Sequence, residues 1–376
     1  MMKTSDPTRR AGAAGVCLCA ALAFALTPGN AQAATTTATV AGTAVVGGHC
    51  VSLRIPVALG PGQPAAQTVA GTLCLPDGRP TATVDVLVHG AGYDQAYWNW
   101  PVDPGLYSYV DETLAAGRAT FAYDRIGAGG SSHPLSTLIT TDADAYVLHQ
   151  LVGDLRRVGY GRVDVVGHSF GSIIAVDEAA AYRDVDRLVV TGLLHPETAP
   201  PYTPTSVFYP AYLDPQFAGE GLDPGYLTTI PGTRAAAFYS SSADPAVIAY
   251  DEAHKDTVSG TELVAGLAAS QLPPTLNAAT GVRAPVLVVD GDQDALFCGF
   301  TVDCADPAAV SANERAFYSA AASVAVSLIP ATGHSLALHP SAPQSFAVID
   351  QWLASDTAAG SADAATPAAG PSAAAG

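Results

Sequence analysis

The chain has 376 residues, 49% of them hydrophobic and only 13% charged, with a formal net charge of −18. That content supplies a sizeable core and excludes a wholly disordered chain. The acidic balance excludes a protein that tracks nucleic-acid phosphates or anchors on anionic lipid through basic residues.

Residues 1–33 read as a secretory signal peptide. Lys3, Arg9 and Arg10 precede an apolar stretch over residues 11–26, and Ala31-Gln32-Ala33 forms a small-residue exit. The stretch is shorter than the roughly 20 residues of a spanning helix, so cleavage after Ala33 is expected to release a secreted protein with no membrane attachment. Arg9-Arg10 leaves twin-arginine export open beside the general route. Residues 34–46 and 354–376 are rich in small residues and are expected to be a flexible segment and a disordered tail. Cys17 and Cys19 leave with the signal. Cys50, Cys74, Cys298 and Cys304 then form an even set in an oxidising compartment. Of three possible pairings we expect Cys50 with Cys74, on two neighbouring strands, and Cys298 with Cys304, around a short loop. No CxxC pair points to a metal.

In chain order, residues 50–59 and 67–75 are too close for a crossover helix and predict an antiparallel hairpin at one edge. Apolar runs of strand length follow at 83–88, 119–123, 163–166, 187–192, 286–290 and 324–329. Helix-length segments fall at 105–117, 142–159, 169–182, 306–322 and 341–353. This alternation predicts an α/β domain over residues 47–353, with a mostly parallel central sheet and helices on both faces. Residues 195–282 break the rhythm. They are rich in Pro and aromatic residues and lack a clear strand, so they are expected to be an insertion over the sheet rather than part of it.

Gly167-His168-Ser169-Phe170-Gly171 matches G-x-S-x-G, a weak signal alone in a chain with 36 glycines. Its context strengthens it, because a strand runs directly into it and an Ala-rich helix follows, the arrangement that presents a serine hydroxyl at a sheet's carboxyl end. Such a serine needs a base and a group that orients the base. His334 in Ala331-Thr332-Gly333-His334-Ser335 and Asp294 in Gly291-Asp292-Gln293-Asp294 each follow a strand, in the order Ser169, Asp294, His334. Asp290, Asp292 and Glu197 rival Asp294 as the acid, and His339 rivals His334 as the base. Backbone N–H groups of Ala91, in His89-Gly90-Ala91-Gly92, and of Phe170 are the candidate oxyanion donors. His89 is expected to brace its loop. Tyr93, Tyr97, Trp98 and Trp100 follow that loop, and the insertion adds Tyr202, Phe208, Tyr209, Tyr212, Phe217 and Tyr226. Of these, Tyr93, Trp98, Phe208, Tyr209 and Phe217 are the candidate substrate contacts.

Taken together, the HG loop at 89–92, Asp124-Arg125-Ile126-Gly127-Ala128-Gly129-Gly130-Ser131, GHSFG at 167–171, GDQD at 291–294 and GH at 333–334 resemble the α/β-hydrolase superfamily. The second motif is similar to the family's D-x-R-G-x-G-x-S turn, with Ile126 in the usual Arg position and Arg125 before it. The resemblance implies a central sheet with a lid after its sixth strand. A serine at 169 sets the chain apart from the family's dehalogenases and epoxide hydrolases, which use a carboxylate nucleophile. We therefore expect a metal-free and cofactor-free serine hydrolase acting on a small carboxylic ester or lactone with apolar or aromatic surface. An exopeptidase is the alternative, with Glu220, Asp223, Asp251 or Glu252 available to bind a free amine. A non-catalytic or lyase member of the fold is a third reading.

Overall fold

A computed structural model describes residues 42–78, 81–196, 207–299 and 302–355. The signal peptide and the C-terminal tail expected from the sequence lie outside the described residues. The chain opens with β1 (Gly42–Val45), β2 (Gly48–Val57) and β3 (Gln67–Pro76), then β4 (Thr83–Val88), α1 (Pro104–Tyr107), α2 (Tyr109–Ala115) and β5 (Ala119–Tyr123). Next come α3 (Thr141–Arg157), β6 (Arg162–His168), α4 (Phe170–Ala181) and β7 (Arg187–Thr191). After an insertion the chain returns as β11 (Val286–Gly291), α8 (Pro307–Phe317), β12 (Val324–Ile329) and α9 (Ala342–Ala354).

These strands form one sheet in the order β1-β2-β3-β5-β4-β6-β7-β11-β12. From β5 to β12 every neighbouring pair is parallel, and β1, β2 and β3 add an antiparallel edge. β1 corrects the expectation that residues 34–46 are flexible throughout. Residues 42–45 pair with residues 48–51 through a tight turn at Gly47, whose φ of 78° favours glycine. The insertion follows the strand expected to precede it, Arg187–Thr191, which the addition of β1 makes the seventh in the chain. Cys50 lies directly opposite Cys74 in the β2/β3 register, and both expected disulfides, Cys50–Cys74 and Cys298–Cys304, are present.

The parallel strands read as continuous apolar runs because both faces are covered. Val84, Val86, Val88, Val163, Val165, Leu188, Val190, Val286 and Val288 bury one face with α3, α4 and α8. The alternate residues Leu87, Val166, Val189, Leu287 and Val289 bury the other with α2 and α9. Local signals set the helix ends. Thr140 Oγ1 accepts the Ala143 N–H at 3.1 Å, and α3 carries Asp142 and Asp144 in its first turn and Arg156 and Arg157 in its last, matching its dipole. The helix expected over 105–117 divides at Ser108, whose hydroxyl accepts the Asp111 N–H and starts α2.

The insertion departs most from expectation. It carries regular elements: β8 (Phe208–Pro210), β9 (Tyr226–Thr229), α5 (Arg234–Phe238), α6 (Pro245–Ala253), β10 (Val258–Ser259) and α7 (Gly260–Ser270). Its strands form a separate antiparallel sheet in the order β10-β9-β8. Strands of two to four residues leave no apolar run long enough to read.

Candidate functional site

Ser169 sits between β6 and α4 with φ 53° and ψ −120°, a conformation costly for a residue with a Cβ. Its surroundings hold it there. The Ser169 N–H donates to Thr191 O at 2.8 Å. A Cβ at Gly167 would lie 2.6 Å from Ser172 Cα, and one at Gly171 would lie 2.3 Å from Val88 O. Both glycines are therefore required for α4 to start hard against the sheet.

His334 stands in the loop after β12, and Asp294 in the loop after β11. His334 Nε2 is 2.8 Å from Ser169 Oγ, and His334 Nδ1 is 2.7 Å from Asp294 Oδ2. Asp294 is fully buried, and its Oδ1 accepts the Leu296 N–H at 2.7 Å. The rivals have other duties. His339 Nε2 accepts the N–H groups of Gly333 and Ser240, each at 3.0 Å, and its Nδ1–H donates to Ser335 O, so it braces the loop that carries His334. Asp290 accepts the Gly291 N–H at 2.7 Å. Burial first, and then the neighbouring Asp294, push its carboxyl well above the usual range. Neither Asp290 nor Asp292 bonds to His334. Glu197 lies outside the described residues.

The HG loop leaves β4 beside Ser169. His89 Nε2 accepts the Arg125 N–H at 3.0 Å, so Nδ1 carries the proton and donates to Gly90 O at 2.9 Å. Burial, then the Arg125 charge, hold this imidazole neutral with a pKa of about 3. His89 is thus the expected brace. Ala91 and Phe170 both face the cleft described below, and among the described residues neither backbone N–H has a hydrogen-bond partner. Arg125 does hold a place despite its shifted position in the turn. Its guanidinium lies 5.0 Å from the Phe170 ring centroid and binds Asp144 and Glu262, each at 2.9 Å.

Ser169 and His334 open into a cleft lined mainly by apolar side chains. Tyr93 and Phe208 line it as expected, together with Ala91 and Phe170. Trp98, Tyr209 and Phe217 do not. Trp98 is buried against Tyr97 and Tyr109 on the α2/α9 face of the sheet. Phe217 packs into the opposite core. The Tyr209 hydroxyl donates to Asp214 at 2.7 Å. The rest of the wall is mainly aliphatic, from Ile173 of α4, Leu193 and Leu194 after β7, Leu263 and Leu267 of α7 and Leu296, with Ser270 and Gln271 at the end of α7 and the rings of Phe238 and Phe297. The spacing of the α7 residues by four, three and one was a readable stripe on one helix face.

Two buried ion-pair clusters join the insertion to the sheet. Glu262 of α7 reaches Arg125. Arg234 of α5 forks onto Asp251 of α6 at 2.6 and 2.8 Å and donates to Gly92 O at 3.0 Å. Tyr93 and Tyr239 also donate to Asp251, and the Tyr93 hydroxyl lies 2.7 Å from Ser335 Oγ, next to His334. Asp251 is therefore neutralised. Asp223 binds Ser136, and Glu252 accepts the Gly232 N–H. None of Glu220, Asp223, Asp251 and Glu252 lines the cleft.

Residues 86–347 match the model of the Alpha/beta hydrolase family. The chain belongs to this family. An esterase from Thermogutta terrifontis superposes with a TM-score of 0.52 at 20% identity, covering 80% of this chain and 97% of that one. A bromoperoxidase from Bacillus anthracis gives 0.53 at 17%, covering 80% and 99%. An alpha/beta hydrolase fold protein from Chitinophaga pinensis gives 0.51 at 16%, covering 81% and 97%. At these identities the likeness is one of hydrolase fold. No curated protein matches the sequence.

Proposed function

We propose that the protein is a secreted serine hydrolase that cleaves a small carboxylic ester or lactone through an acyl-enzyme intermediate. The observation that carries this reading is the line Asp294, His334, Ser169, with hydrogen-bond distances of 2.7 and 2.8 Å, ending at the floor of an apolar cleft. In this reading Ser169 Oγ attacks the carbonyl carbon while its proton passes to His334 Nε2. Asp294 accepts the Nδ1–H and stabilises the imidazolium. The unpartnered N–H groups of Ala91 and Phe170 receive the oxyanion. Collapse breaks the ester C–O bond, and His334 returns the proton to the departing alkoxide. Water then repeats the sequence on the acyl-enzyme and releases the carboxylic acid.

The cleft supports an ester over a peptide with a free amine. Among the described residues its lining includes no Asp, Glu, Lys or Arg, so a charged amine entering it would lose hydration without gaining a partner. Apolar walls around a single hydroxyl and imidazole suit a small ligand with apolar surface. Two disulfides support export to an oxidising compartment. Among the described residues no helix is long and apolar enough to cross a membrane. The test is a parallel screen of short and long p-nitrophenyl esters, lactones and aminoacyl anilides with the parent and Ser169→Ala. Ester or lactone turnover, abolished in the variant along with organofluorophosphate labelling of Ser169, supports the reading. Preferred anilide cleavage, or turnover unchanged in the variant, refutes it.

A further inference from the structure

We propose that His149, Glu178 and Asp184 form a binding site for one divalent transition-metal ion, with zinc the best chemical fit. The site is remote from the cleft. Glu178 lies nine residues along the chain from Ser169, about 13 Å at the helical rise, toward the far end of α4. His149 projects from α3, and Asp184 follows α4 in the turn to β7. One imidazole nitrogen and two carboxylate oxygens lie within 4.8 Å of one another.

Two observations separate this group from an ordinary surface cluster. Glu178 is fully buried, and among the described residues its carboxyl oxygens accept from no N–H or hydroxyl donor and have the Asp184 carboxyl as their polar neighbour. Asp184 Oδ1 is likewise without such a donor. A buried carboxylate left in this way is costly. A dication placed among the three groups would satisfy those oxygens and remove the cost of ionising them.

The ring of His149 is held for the task. It stacks on Tyr182 with centroids 4.1 Å apart, and its Nδ1 lies 2.6 Å from Asp184 Oδ2. Zinc bonds of about 2.0–2.2 Å in a tetrahedral site put neighbouring ligand atoms about 3.4 Å apart, so this contact need open by less than 1 Å. Arg156 faces the same turn but spends its guanidinium on the Asp184 carbonyl and on Asp186. The side chains of His149 and Asp184 are 36% and 25% exposed, which leaves an entry path and room for a water as fourth ligand. One imidazole with two carboxylates favours zinc over calcium or magnesium, which take oxygen-only sets. Such an ion would clamp α3 to the end of α4 and the turn into β7, a structural role.

The experiment is calorimetric titration of the mature protein, freed of metal by chelation, with zinc chloride alone, beside magnesium and calcium controls. Cobalt substitution is followed by visible absorption. One zinc per chain is expected, bound at least tenfold more weakly by Glu178→Gln and by His149→Ala. Zinc at a hundredfold excess over the parent's Kd should raise Tm by about 3–6 °C in the parent and by no more than about half as much in Glu178→Gln. Glu178→Gln keeps the side chain's shape without its charge, and His149→Ala changes a partly exposed residue, so one of the pair should fold even if the other fails. Absence of stoichiometric zinc, or equal affinity in parent and both variants, overturns the proposal. So does a Tm insensitive to zinc combined with a higher Tm for Glu178→Gln, which would mark two carboxyls that merely share a proton.

Discussion

Replacing Asp294 by Asn tests the assignment of the acid, and the structure decides how the amide would sit. Oδ1 of Asp294 accepts the Leu296 N–H at 2.7 Å, while Oδ2 faces His334 Nδ1 at 2.7 Å. In a fully buried site the asparagine must keep its oxygen on the Leu296 N–H, since an NH₂ there would set donor against donor. Its NH₂ group then faces Nδ1 and forces that nitrogen to accept. The imidazole proton moves to Nε2, which can no longer take the proton of Ser169. The stabilising charge beside the imidazolium is lost as well. A fixed wrong tautomer of this kind costs about 10⁴-fold in kcat, or about 5 kcal/mol at 1.36 kcal/mol per decade. Asp290→Asn is the control. Burial and then Asp294, with which it shares a hydrogen bond, push the Asp290 carboxyl well above the usual range; it accepts the Gly291 N–H and does not bond to His334. It should therefore lose less than tenfold. Steady-state hydrolysis of a short p-nitrophenyl ester, with circular dichroism to verify folding, gives the comparison. A kcat for Asp294→Asn within tenfold of the parent, or a larger loss in Asp290→Asn or Asp292→Asn, would refute the assignment.

Three other outcomes are expected. Leu267→Ala and Phe208→Ala should shift the ratio of kcat/KM between long and short acyl esters by about 5- to 100-fold, whereas Phe217→Ala, in the core, should leave the ratio alone and cost about 3–5 kcal/mol of stability in denaturant titration. Replacing both cysteines of the Cys50–Cys74 pair by Ser should cost about 3.5 kcal/mol and spare the rate. Replacing Cys298 and Cys304 should cost about 2 kcal/mol and lower the rate, because Cys298 follows Phe297 of the cleft wall and donates its N–H to Asp294 O at 2.8 Å. Asp177, raised to about 7 by burial and then by Asp142, binds its proton more tightly folded than unfolded, so it drains stability progressively between pH 4 and pH 7. Asp177→Asn should therefore match the parent near pH 4 and melt higher than it above pH 7, and a Tm difference independent of pH would contradict this.

How far the sequence could be read depended on what each signal reports. β4, β6, β7 and β11 are buried on both faces and appear as unbroken Val and Leu runs, so their positions were plain. β8 to β10 are too short to show any period, and their pairing depends on contacts made far along the chain. Ser169, Asp294 and His334 were legible because each follows a strand whose end the topology fixes. The cleft walls were not, because an aromatic side chain signals burial without saying which surface it faces. Trp98 went to the core beneath α9, while an aliphatic stripe on α7 took the place expected for aromatics. The group of His149, Glu178 and Asp184 was invisible for a related reason. Its members lie 29 and 6 residues apart, on two helices and a turn, with no motif spacing.

The same arrangement bears on what the insertion can do. α5 and α6 are tied to the HG loop through Arg234 and Gly92, and to the His334 loop through Tyr93 and Ser335. α7 is tied to the turn after β5 through Glu262 and Arg125. Each tie is buried: Glu262 crosses from the insertion to Arg125, and the Arg234 guanidinium, paired with Asp251 inside the insertion, crosses through its hydrogen bond to Gly92 O, so parting either leaves a buried polar group short of a partner. Swinging the insertion away as a rigid flap would break both ties at once. These two anchors make α5 to α7 part of the frame that sets the positions of Ala91 and His334. Discrimination among substrates is then left to the side chains that face the cleft, Leu263 and Leu267 on α7 and Phe208 on β8, which can change size without disturbing either anchor.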